Sequence, residues 1–378
     1  MKIGFDAKRA FNNKSGLGNY SRNLIRGIIK NNPTEDYFLF NSESSRYKLH
    51  DFLEKKSNIH LIQPQSFWGK EFPGWWRSYG ITKNANQIDL DIYHGLSNEI
   101  PLNSDKMKAK KLITVHDLIF MRYPEFYNAG DRKMYTMKTK KSCALADGIV
   151  AVSEQTKSDL IEFLDVPKEK IHVIYQTCDE NFFHDNEYST NDNSPEKLLP
   201  DEYILYVGTV EQRKNLLALV KAIHELDKSM QVTLIVVGKE TSYAKEVNNY
   251  VEKYGLEKRV IFMKSVNNAL MPLIYKKAKA FIYPSLFEGF GIPIIEALAS
   301  KVPVITTRGG CFPEAAGPGS IFVDPDNADE LAEAIKLVYT NENKRQEMIT
   351  AGYSYVQQFR PEICADNMFN LYKKICAL

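Results

Sequence analysis

Ala280-Phe-Ile-Tyr-Pro284, Glu288-Gly-Phe-Gly-Ile-Pro293 and the apolar run 294–299 follow one another along this chain and decide its fold. Their order predicts a short buried strand, a glycine turn and an apolar helix. The two glycines of the turn carry no Cβ, so a ligand can approach the backbone closely there. The proline suits the first turn of the helix, and the N–H groups at such a helix start form an anion site.

Two carboxylates belong to this stretch. Glu288 precedes the predicted anion site, and Glu296 is expected in the first turn of the helix. Because carboxylates accept hydrogen bonds from hydroxyl groups, both are suited to hold sugars. The pattern therefore predicts a site for a nucleotide sugar, in which a diphosphate joins a ribose to a second sugar.

The composition is that of a folded protein with two domains. The chain has 378 residues, 25% of them charged and 44% apolar, and its net charge of +2 gives no bias toward nucleic acid. The five cysteines are scattered without a CxxC pair, which argues against a zinc site or a disulfide framework. We expect a cytoplasmic protein, because this cysteine usage suits a reducing compartment and neither a signal peptide nor a membrane span is recognisable.

Short β-branched runs alternate with helical patterns from end to end, which predicts an α/β fold with parallel sheets. The predicted strands are 2–6, 37–40, 59–62, 92–94, 111–116, 148–152 and 171–174 in the first half, and 203–208, 232–238, 260–263, 280–283, 304–306 and 320–323 in the second. A polar stretch at 176–201 is interpreted as an interdomain connection. We place one domain at 1–178 and another at 179–360, followed by an amphipathic helix at 361–378.

Arg213 and Lys214 follow a second apolar strand, Tyr203-Ile-Leu-Tyr-Val-Gly-Thr209, and precede an apolar helix. The alternative interpretation is that both are solvated surface charges, as such residues usually are. Cations at a helix start, however, oppose the helix dipole, which prefers anions there. A bound diphosphate would remove that conflict and pair with both side chains. We therefore predict that this pair clamps a diphosphate.

Two weaker patterns lie in the first half of the chain. Gly16 and Gly18 predict a flexible glycine turn before a helix, but a lone GxG is a weak signal, and its spacing from the strand argues against a dinucleotide site. His116 and Asp117 end an apolar strand, where open α/β sheets bind ligands. A histidine at a strand end is more often structural than catalytic. The chain has no G-x-S-x-G elbow that would indicate a Ser–His–Asp relay.

Asp89-Leu-Asp91 and Asp324-Pro-Asp326 match the D-x-D pattern of some metal-dependent sugar transferases. The first precedes a predicted strand instead of ending it, and the second has a helix-capping context. We interpret both as structural and predict no metal requirement.

Aromatic residues crowd one short interval of the first half. They are Phe67, Trp68, Phe72, Trp75, Trp76 and Tyr79. Basic runs follow at 106–111 and 132–141. We expect partly buried aromatic side chains and a solvated helix face. The alternative hypothesis is an acceptor groove that stacks sugars or touches an anionic bilayer.

Taken together, these motifs resemble those of the retaining glycosyltransferases of family 4, which have the GT-B fold, and most closely their mannosyltransferase-B-like branch. The likeness spans nearly the whole chain. It includes Ile3-Gly-Phe-Asp-Ala7, Gly16-Leu-Gly-Asn-Tyr20, His116-Asp-Leu118, Ala151-Val-Ser-Glu154, Tyr206-Val-Gly-Thr209, Arg213-Lys-Asn215, Glu288-Gly-Phe-Gly-Ile-Pro-Ile-Ile-Glu296 and Pro313-Glu-Ala-Ala-Gly317. The resemblance implies two Rossmann-like domains whose parallel sheets face an interdomain cleft. The first would bind the acceptor and the second the donor, and the final helix would pack back on the first.

The resemblance also implies roles for single residues. Glu288 would bind donor-sugar hydroxyls and Glu296 the ribose of the nucleotide. Arg213 and Lys214 would clamp the diphosphate, and His116 would lie beside the donor sugar, so the catalytic set would be His116, Glu288, Arg213 and Lys214. The other donor-binding positions would be Gly16, Gly18, Gly208, Val266, Gly289, Phe290, Gly291 and Ile292.

The resulting expectation is a metal-independent hexosyltransferase without a cofactor, which moves mannose from GDP-mannose onto a lipid-linked or surface-polysaccharide glycan, as in lipopolysaccharide biosynthesis. The basic pair and the helix amides would stabilise the leaving diphosphate, and the acceptor would attack the same face of the sugar without an enzyme nucleophile. Three alternatives stay open: a transferase of the same family that uses a UDP-sugar, a phosphorylase or hydrolase on the same fold, and a non-catalytic nucleotide-sugar sensor. A nucleic-acid partner is not expected. Peripheral contact with the inner face of the membrane is a further hypothesis.

Overall fold

The computed structural model describes residues 1–42, 48, 53–54, 56–184, 199–226, 230–264 and 266–377. The chain forms two units, one made of Met1–Thr177 and Phe359–Leu378 and the other of Cys178–Gln358. The predicted connection at 176–201 lies partly outside the described residues.

The first unit is built on a parallel sheet of seven strands within the described residues. They are β1 (Lys2–Asp6), β2 (Asp36–Phe40), β3 (Ile59–Ile62), β4 (Ile92–Gly95), β5 (Lys110–Val115), β6 (Gly148–Ala151) and β7 (Ile171–Val173). Their order across the sheet is β3-β2-β1-β4-β5-β6-β7. Every residue of β4 and β6 is buried, as expected for a parallel sheet covered on both faces by helices.

Helices connect these strands. They are α1 (Lys8–Asn12), α2 (Gly16–Asn31), α3 (Phe67–Glu71), α4 (Pro73–Trp75), α5 (Ile81–Ile88), α6 (Ile119–Arg122), α7 (Ala129–Leu145) and α8 (Glu154–Leu164). A π-helical turn, Trp76–Gly80, joins α4 to α5. Asn128 caps α7 by accepting a hydrogen bond from the N–H of Asp131, and Ser153 caps α8 in the same way.

The second unit is built on a parallel sheet of six described strands. They are β8 (Ile204–Val207), β9 (Leu234–Val237), β10 (Val260–Met263), β11 (Ala280–Tyr283), β12 (Val304–Thr307) and β13 (Ile321–Val323). Their order is β10-β9-β8-β11-β12-β13. The strand order therefore reverses between β8 and β11, since later strands are added on opposite sides of this pair. Open α/β sheets bind ligands at such a reversal, outside the carboxyl ends of the strands. The loops that follow β8 and β11 are where this unit is expected to hold a ligand.

The helices of the second unit cover both faces of its sheet. They are α9 (Leu216–Glu225), α10 (Ala244–Lys253), α11 (Met271–Lys276), α12 (Ile292–Ala299), α13 (Phe312–Ala316), α14 (Ala328–Thr340) and α15 (Glu342–Val356). The apolar faces of α9, α10 and α14 pack with β8 and β9 in one core cluster, which contains Leu219, Ile223, Val247 and Ile335.

The last helix, α16 (Pro361–Cys376), belongs to the first unit. It packs along α2, where Asn31 donates a hydrogen bond of 2.7 Å to the carboxylate of Asp366. Gly27 allows this close packing, because a Cβ there would lie 3.0 Å from the Cβ of Ala365.

Every predicted strand is present, and the observed ends differ from the predicted ones by at most two residues. The fold class, with two Rossmann-like domains on parallel sheets, is confirmed.

Candidate functional site

The loops that follow β8 and β11 are joined to each other. The N–H of Leu286 donates a hydrogen bond of 2.8 Å to the carbonyl oxygen of Arg213, and the hydroxyl of Ser285 donates to the same oxygen at 3.3 Å. The two parallel strands bring these loops to one edge of the sheet, so segments far apart in sequence lie side by side where such sheets bind ligands.

Arg213 and Lys214 converge on Glu288. The Nζ of Lys214 and a guanidinium nitrogen of Arg213 each lie 2.8 Å from Oε1 of that carboxylate. The three side chains are 13–14% exposed, so they are partly shielded from water but accessible. Arg213 also pairs with Glu211 at 2.6 Å and donates to the carbonyl of Phe287. The structure therefore brings together the predicted basic pair and the first predicted carboxylate.

Two donors that the motifs did not indicate complete this cluster. The hydroxyls of Tyr283 and Ser285 donate to the Oε1 atom of Glu288 at 3.0 and 2.9 Å. The Nζ of Lys214 also donates to the hydroxyl of Tyr283 at 2.7 Å and lies 5.0 Å from the centre of its ring. Their position at the carboxyl end of β11 was the available signal in the sequence, but nothing in the sequence showed that both side chains point toward Glu288.

The electrostatics of the cluster keep Glu288 ionised. Burial by itself raises the pKa of this carboxyl, but Lys214 and Arg213 outweigh burial, and the hydrogen bonds from Lys214 and Ser285 add to their effect. The pKa is lowered from 4.5 to about 2. Glu288 therefore neutralises part of the charge of the basic pair.

Glycines of both loops serve this geometry. Gly208 lies against the stem of Lys214, where a Cβ would come within 3.0 Å of its Cδ atom. Gly291 precedes α12 with a φ of 110°, a conformation that residues with a Cβ rarely adopt. Among the residues that the structure describes, no side chain caps α12, so backbone N–H groups are presented by Gly291, which is the N-cap residue, and by Ile292, which begins the helix.

A buried cysteine contacts the backbone of the loop that precedes α12. The thiol of Cys311 lies 3.1 Å from the carbonyl oxygens of both Glu288 and Phe290, and burial raises its pKa well above the ordinary value. The ring of Phe290 is 2% exposed, so this residue anchors the loop in the core. Gly289, which lies between Glu288 and Phe290, has no side chain and contributes only its backbone. No sequence motif indicated this role for Cys311.

Glu296 lies in a different environment from Glu288. The expectation that it occupies the first turn of α12 is wrong, because the helix begins at Ile292 and its first turn has no acidic residue. Glu296 accepts a hydrogen bond of 2.8 Å from the hydroxyl of Tyr275. Burial raises its pKa from 4.5 to about 7, although the bond from Tyr275 opposes the shift. Its described contacts are with Tyr275 and not with the basic pair.

Val266, another predicted donor-binding residue, lies after β10 and before the turn Asn268–Leu270. It is half-buried. β10 is the edge strand of the sheet, with β9 between it and β8. The described contacts do not join Val266 to the cluster around Glu288.

The predicted glycine turn of the first unit is wrong, because α2 begins at Gly16 and includes both glycines in its first turn. Gly16 is exposed, with open space where a Cβ would be. A Cβ on Gly18 would lie 2.0 Å from the carbonyl oxygen of Asn13. Arg22 donates to that same oxygen at 2.8 Å, so Gly18 is required for local packing. Its predicted contact with the donor stays a prediction.

His116 follows β5 and is 6% exposed. Its Nε2 atom lies 2.8 Å from the carbonyl oxygen of Leu96, and its Nδ1 atom lies 2.9 Å from the side-chain nitrogen of Gln176. Burial lowers the pKa of the imidazole to about 4, so the ring is neutral near pH 7. Both ring nitrogens are thus engaged within the first unit, and the ring is poorly placed to exchange protons.

The expectation of partly buried aromatic side chains is wrong for most of the aromatic interval. Trp76 is 4% exposed and lies in the core. The exposed ones are Phe67, Trp68, Phe72, Trp75 and Tyr79, at 43% to 68%.

Asp91 has a structural role, since its carboxylate accepts a hydrogen bond of 2.7 Å from the N–H of Lys2. Asp324 accepts a hydrogen bond from the N–H of Asp326, while Asn327 caps α14. Among the described residues, the side chains of His, Cys, Asp and Glu form no group of three that is suited to hold a metal ion. Within the same residues, no helix combines the length and the apolar character that crossing a bilayer requires.

Two family descriptions match this chain and together cover most of it. "Glycosyltransferase Family 4" matches residues 14–182, and "Glycosyl transferases group 1" matches residues 188–355. The chain belongs to the family 4 type of glycosyltransferases and is a hexosyltransferase.

Named relatives are consistent with this assignment. The chain is 28% identical to the O-antigen chain mannosyltransferase B of Escherichia coli over 75% of its own length and 74% of the relative. It is 31% identical to the O-antigen chain mannosyltransferase RfbU of Salmonella typhimurium over 60% of each chain. The solved structure of Anabaena Alr3699/HepE in complex with UDP and glucose shares the fold, with a TM-score of 0.77 and 19% identity over 99% of this chain and all of that one.

Proposed function

We propose that this protein is a retaining mannosyltransferase that uses GDP-mannose and extends a lipid-linked or surface-polysaccharide glycan. The observation that carries the proposal is the convergence of Arg213 and Lys214 on Glu288 beside the uncapped start of α12. The similarity to two O-antigen mannosyltransferases supports mannose as the sugar and a polysaccharide as the acceptor.

In this proposal the diphosphate of the donor lies against the basic pair and the N–H groups that begin α12. Negative charge grows on the leaving diphosphate as the glycosidic bond breaks, and preorganised cations stabilise that charge most in the transition state. Arg213 and Lys214 already face one anion, Glu288, so they need little reorganisation to face another. This charge supports the proposal that the reaction needs no metal ion.

Glu288 would hold hydroxyl groups of the donor sugar and not attack its anomeric carbon. A carboxylate whose pKa is lowered to about 2 by two cations is a weak base and a poor nucleophile. In the proposed mechanism the acceptor hydroxyl attacks from the face that the diphosphate leaves, and a phosphate oxygen takes its proton. This sequence retains the anomeric configuration without a covalent intermediate.

Glu296 would accept hydrogen bonds from the ribose, as the family resemblance implies. His116 beside the donor sugar is likewise a proposal from the resemblance, and its neutral state suits hydrogen bonding better than proton transfer. Localisation in the cytoplasm, which the cysteine usage predicts, stays a prediction.

A panel of GDP, UDP, ADP and their sugars, compared by thermal unfolding, tests the donor. A ligand that binds the folded state raises the unfolding midpoint, and GDP and GDP-mannose are expected to raise it most. A larger shift with UDP compounds would overturn the donor assignment, and the fold shared with a protein that was solved with UDP and glucose makes this the second candidate. NMR of the product formed from GDP-mannose and a mannan oligosaccharide then tests retention: an α-linkage is expected, and a β-linkage would contradict it.

A further inference from the structure

The carboxylate of Glu288 uses its two oxygen atoms differently. Lys214 and Arg213 each approach Oε1 to 2.8 Å. The hydroxyls of Tyr283 and Ser285 donate hydrogen bonds to the same atom at 3.0 and 2.9 Å. Among the residues that the structure describes, no hydrogen bond ends at Oε2. Oε2 is not one of the buried polar atoms that lack a partner, so this oxygen is open to solvent.

Ser285 directs its hydroxyl at Glu288 from a fully buried position. Its Oγ atom lies 2.9 Å from Oε1, but 3.3 and 3.5 Å from the carbonyl oxygens of Arg213 and Phe287. The carboxylate is therefore the closest acceptor for the single hydroxyl proton, and hydrogen bonds to an ionised acceptor are the stronger ones. The backbone is fixed as well, because the hydroxyl of Thr307 donates to the carbonyl oxygen of Ser285 at 2.7 Å.

Tyr283 joins Glu288 to Lys214. Its hydroxyl accepts a hydrogen bond of 2.7 Å from the Nζ of Lys214 and donates to Oε1 of Glu288. The ring is buried and packs against the rings of Phe281 and Phe312, with centroids 5.7 and 6.3 Å away. Burial and the charge of Glu288 raise the pKa of the phenol well above its ordinary value, so the hydroxyl keeps the proton that it donates.

The position of the carboxylate is what these donors fix. Its two oxygens are chemically alike, but one of them lies among four donors and the other is open. An ionised carboxylate oxygen accepts hydrogen bonds from hydroxyl groups, so the open oxygen is suited to a sugar. A group that is already held in place loses little freedom when a ligand binds to it.

We propose that Tyr283 and Ser285 are positioning residues for the donor sugar, because they hold Glu288 with Oε1 at the basic pair and leave Oε2 for the hydroxyls of that sugar. Glu288 touches the donor in this arrangement, whereas Ser285 acts only through Glu288, and Tyr283 acts through Glu288 and Lys214. The inference rests on the proposed role of Glu288 as a ligand of the donor sugar, but not on the base of the nucleotide. Ser285 therefore serves the sugar of the donor and not its diphosphate.

Calorimetric titration of the full-length protein with GDP and with GDP-mannose tests this assignment. The ratio of the two dissociation constants, Kd of GDP divided by Kd of GDP-mannose, isolates the contribution of the sugar. Ser285→Ala is expected to lower this ratio about tenfold and to change the affinity for GDP by less than about twofold. Tyr283→Phe is expected to lower the ratio to a similar extent and also to weaken GDP binding, since Lys214 loses a partner.

Two further measurements separate positioning from a merely structural role. In a Glu288→Gln background, Ser285→Ala is expected to leave the ratio unchanged, because the group on which Ser285 acts is gone. The second measurement needs no ligand. The hydrogen bond from Ser285 lowers the pKa of Glu288, so in Ser285→Ala the stability that Glu288 contributes is expected to be lost at a higher pH than in wild type. Urea unfolding of each protein, with and without Glu288→Gln, measures that pH.

Tyr203→Phe and Ser142→Ala are matched controls, because each removes a buried hydroxyl that does not contact Glu288. Tyr203 donates to the carbonyl of Ile274 at 2.7 Å, and Ser142 accepts from the N–H of Ile100 at 3.2 Å. Both are expected to keep the wild-type ratio, and circular dichroism checks that every variant is folded.

Three results would overturn the inference: an equal loss of affinity for GDP and GDP-mannose in Ser285→Ala, an equal change of the ratio in the controls, or an effect of Ser285→Ala that persists in Glu288→Gln. If the wild type binds UDP and UDP-glucose instead, the proposed donor is wrong, and the same ratio measured with those two ligands decides the inference. A wild type that binds neither pair of ligands would contradict both proposals.

Discussion

Glu288 and Glu296 stand on either side of the same helix start, yet their surroundings drive their protonation in opposite directions. Glu288 lies among two cations and two hydroxyl donors, and its pKa is lowered to about 2. Glu296 has one neutral donor, Tyr275, and burial raises its pKa to about 7. The comparison teaches that a pair of glutamates in one motif can provide one permanent charge and one group that titrates near neutral pH.

Removal of Lys214 is expected to have the largest effect, because Lys214 is one of the two cations that surround Glu288. Lys214→Ala takes away a cation that the proposed mechanism uses in the transition state, so kcat is expected to fall about 10²- to 10³-fold. Steady-state kinetics with GDP-mannose provide the measurement.

Lys279 is a matched control for Lys214. It also pairs with a glutamate, Glu202, and lies 4.4 Å from the centre of a tyrosine ring, that of Tyr339. Lys279→Ala is expected to leave kcat nearly unchanged, as is Glu35→Ala, which affects a pair with the chain's amino terminus. Small and equal effects for all three variants would refute the assignment of a diphosphate clamp.

Substitution of Glu288 tests whether this carboxylate balances the basic pair. Glu288→Gln leaves two partly shielded cations next to each other, and the free energy of unfolding is expected to fall by about 2 kcal/mol near neutral pH. The folded-state pKa of Glu288 lies below the unfolded value, so its contribution is present above about pH 4.5 and is lost as the pH falls toward 2. The difference between wild type and variant is therefore expected to shrink in acid.

Urea unfolding between about pH 2 and neutral pH measures the stability difference between wild type and Glu288→Gln. The same measurement with added GDP provides a second test. A bound diphosphate replaces the missing anion, so GDP is expected to stabilise Glu288→Gln more than the wild type. Glu202→Gln, at an exposed ion pair, is expected to change stability by less than about 0.5 kcal/mol. A pH-independent difference for Glu288→Gln would show that the carboxylate is not held ionised by the pair.

Substitution of Glu296 is expected to have the smallest effect, confined to pH dependence. Its folded-state pKa lies above the unfolded value, so the folded state holds an extra proton between about pH 4.5 and 7. Wild-type stability is therefore expected to fall as the pH rises through this window, and Glu296→Gln is expected to lose that slope. Unfolding midpoints measured across the window provide the check.

Nucleotide binding extends the test of Glu296. Ribose hydroxyls donate to the ionised carboxylate, so GDP affinity is expected to rise by up to about tenfold as the pH increases toward 7 and above, and calorimetry should detect proton release. Tyr275→Phe removes a bond that lowers the pKa, so the midpoint is expected to move to higher pH. An affinity that varies equally with pH in wild type and Glu296→Gln would exclude Glu296 from the ribose site.

The fold was predictable from the sequence because its strands are short apolar runs bounded by turns. Burial on both faces of a parallel sheet requires such continuous apolar runs. β10 and β11, for example, have the predicted bounds. The start of α2 was not predictable, since glycines usually signal a turn, and the need for glycine at position 18 becomes clear only from its close contact with Asn13. The exposure of Trp68 and Trp75 was also missed, because composition cannot show on which side of a short helix the core lies.

The sequence by itself determined the alternation of strands and helices, the two units and the positions of the motif residues near the carboxyl ends of strands. Tertiary structure alone decided that Arg213 and Lys214 meet the same oxygen of Glu288, and that Tyr283, Ser285 and Cys311 support it. Local patterns depend on neighbours along the chain, whereas contacts and pKa values depend on distances between loops that parallel strands bring together.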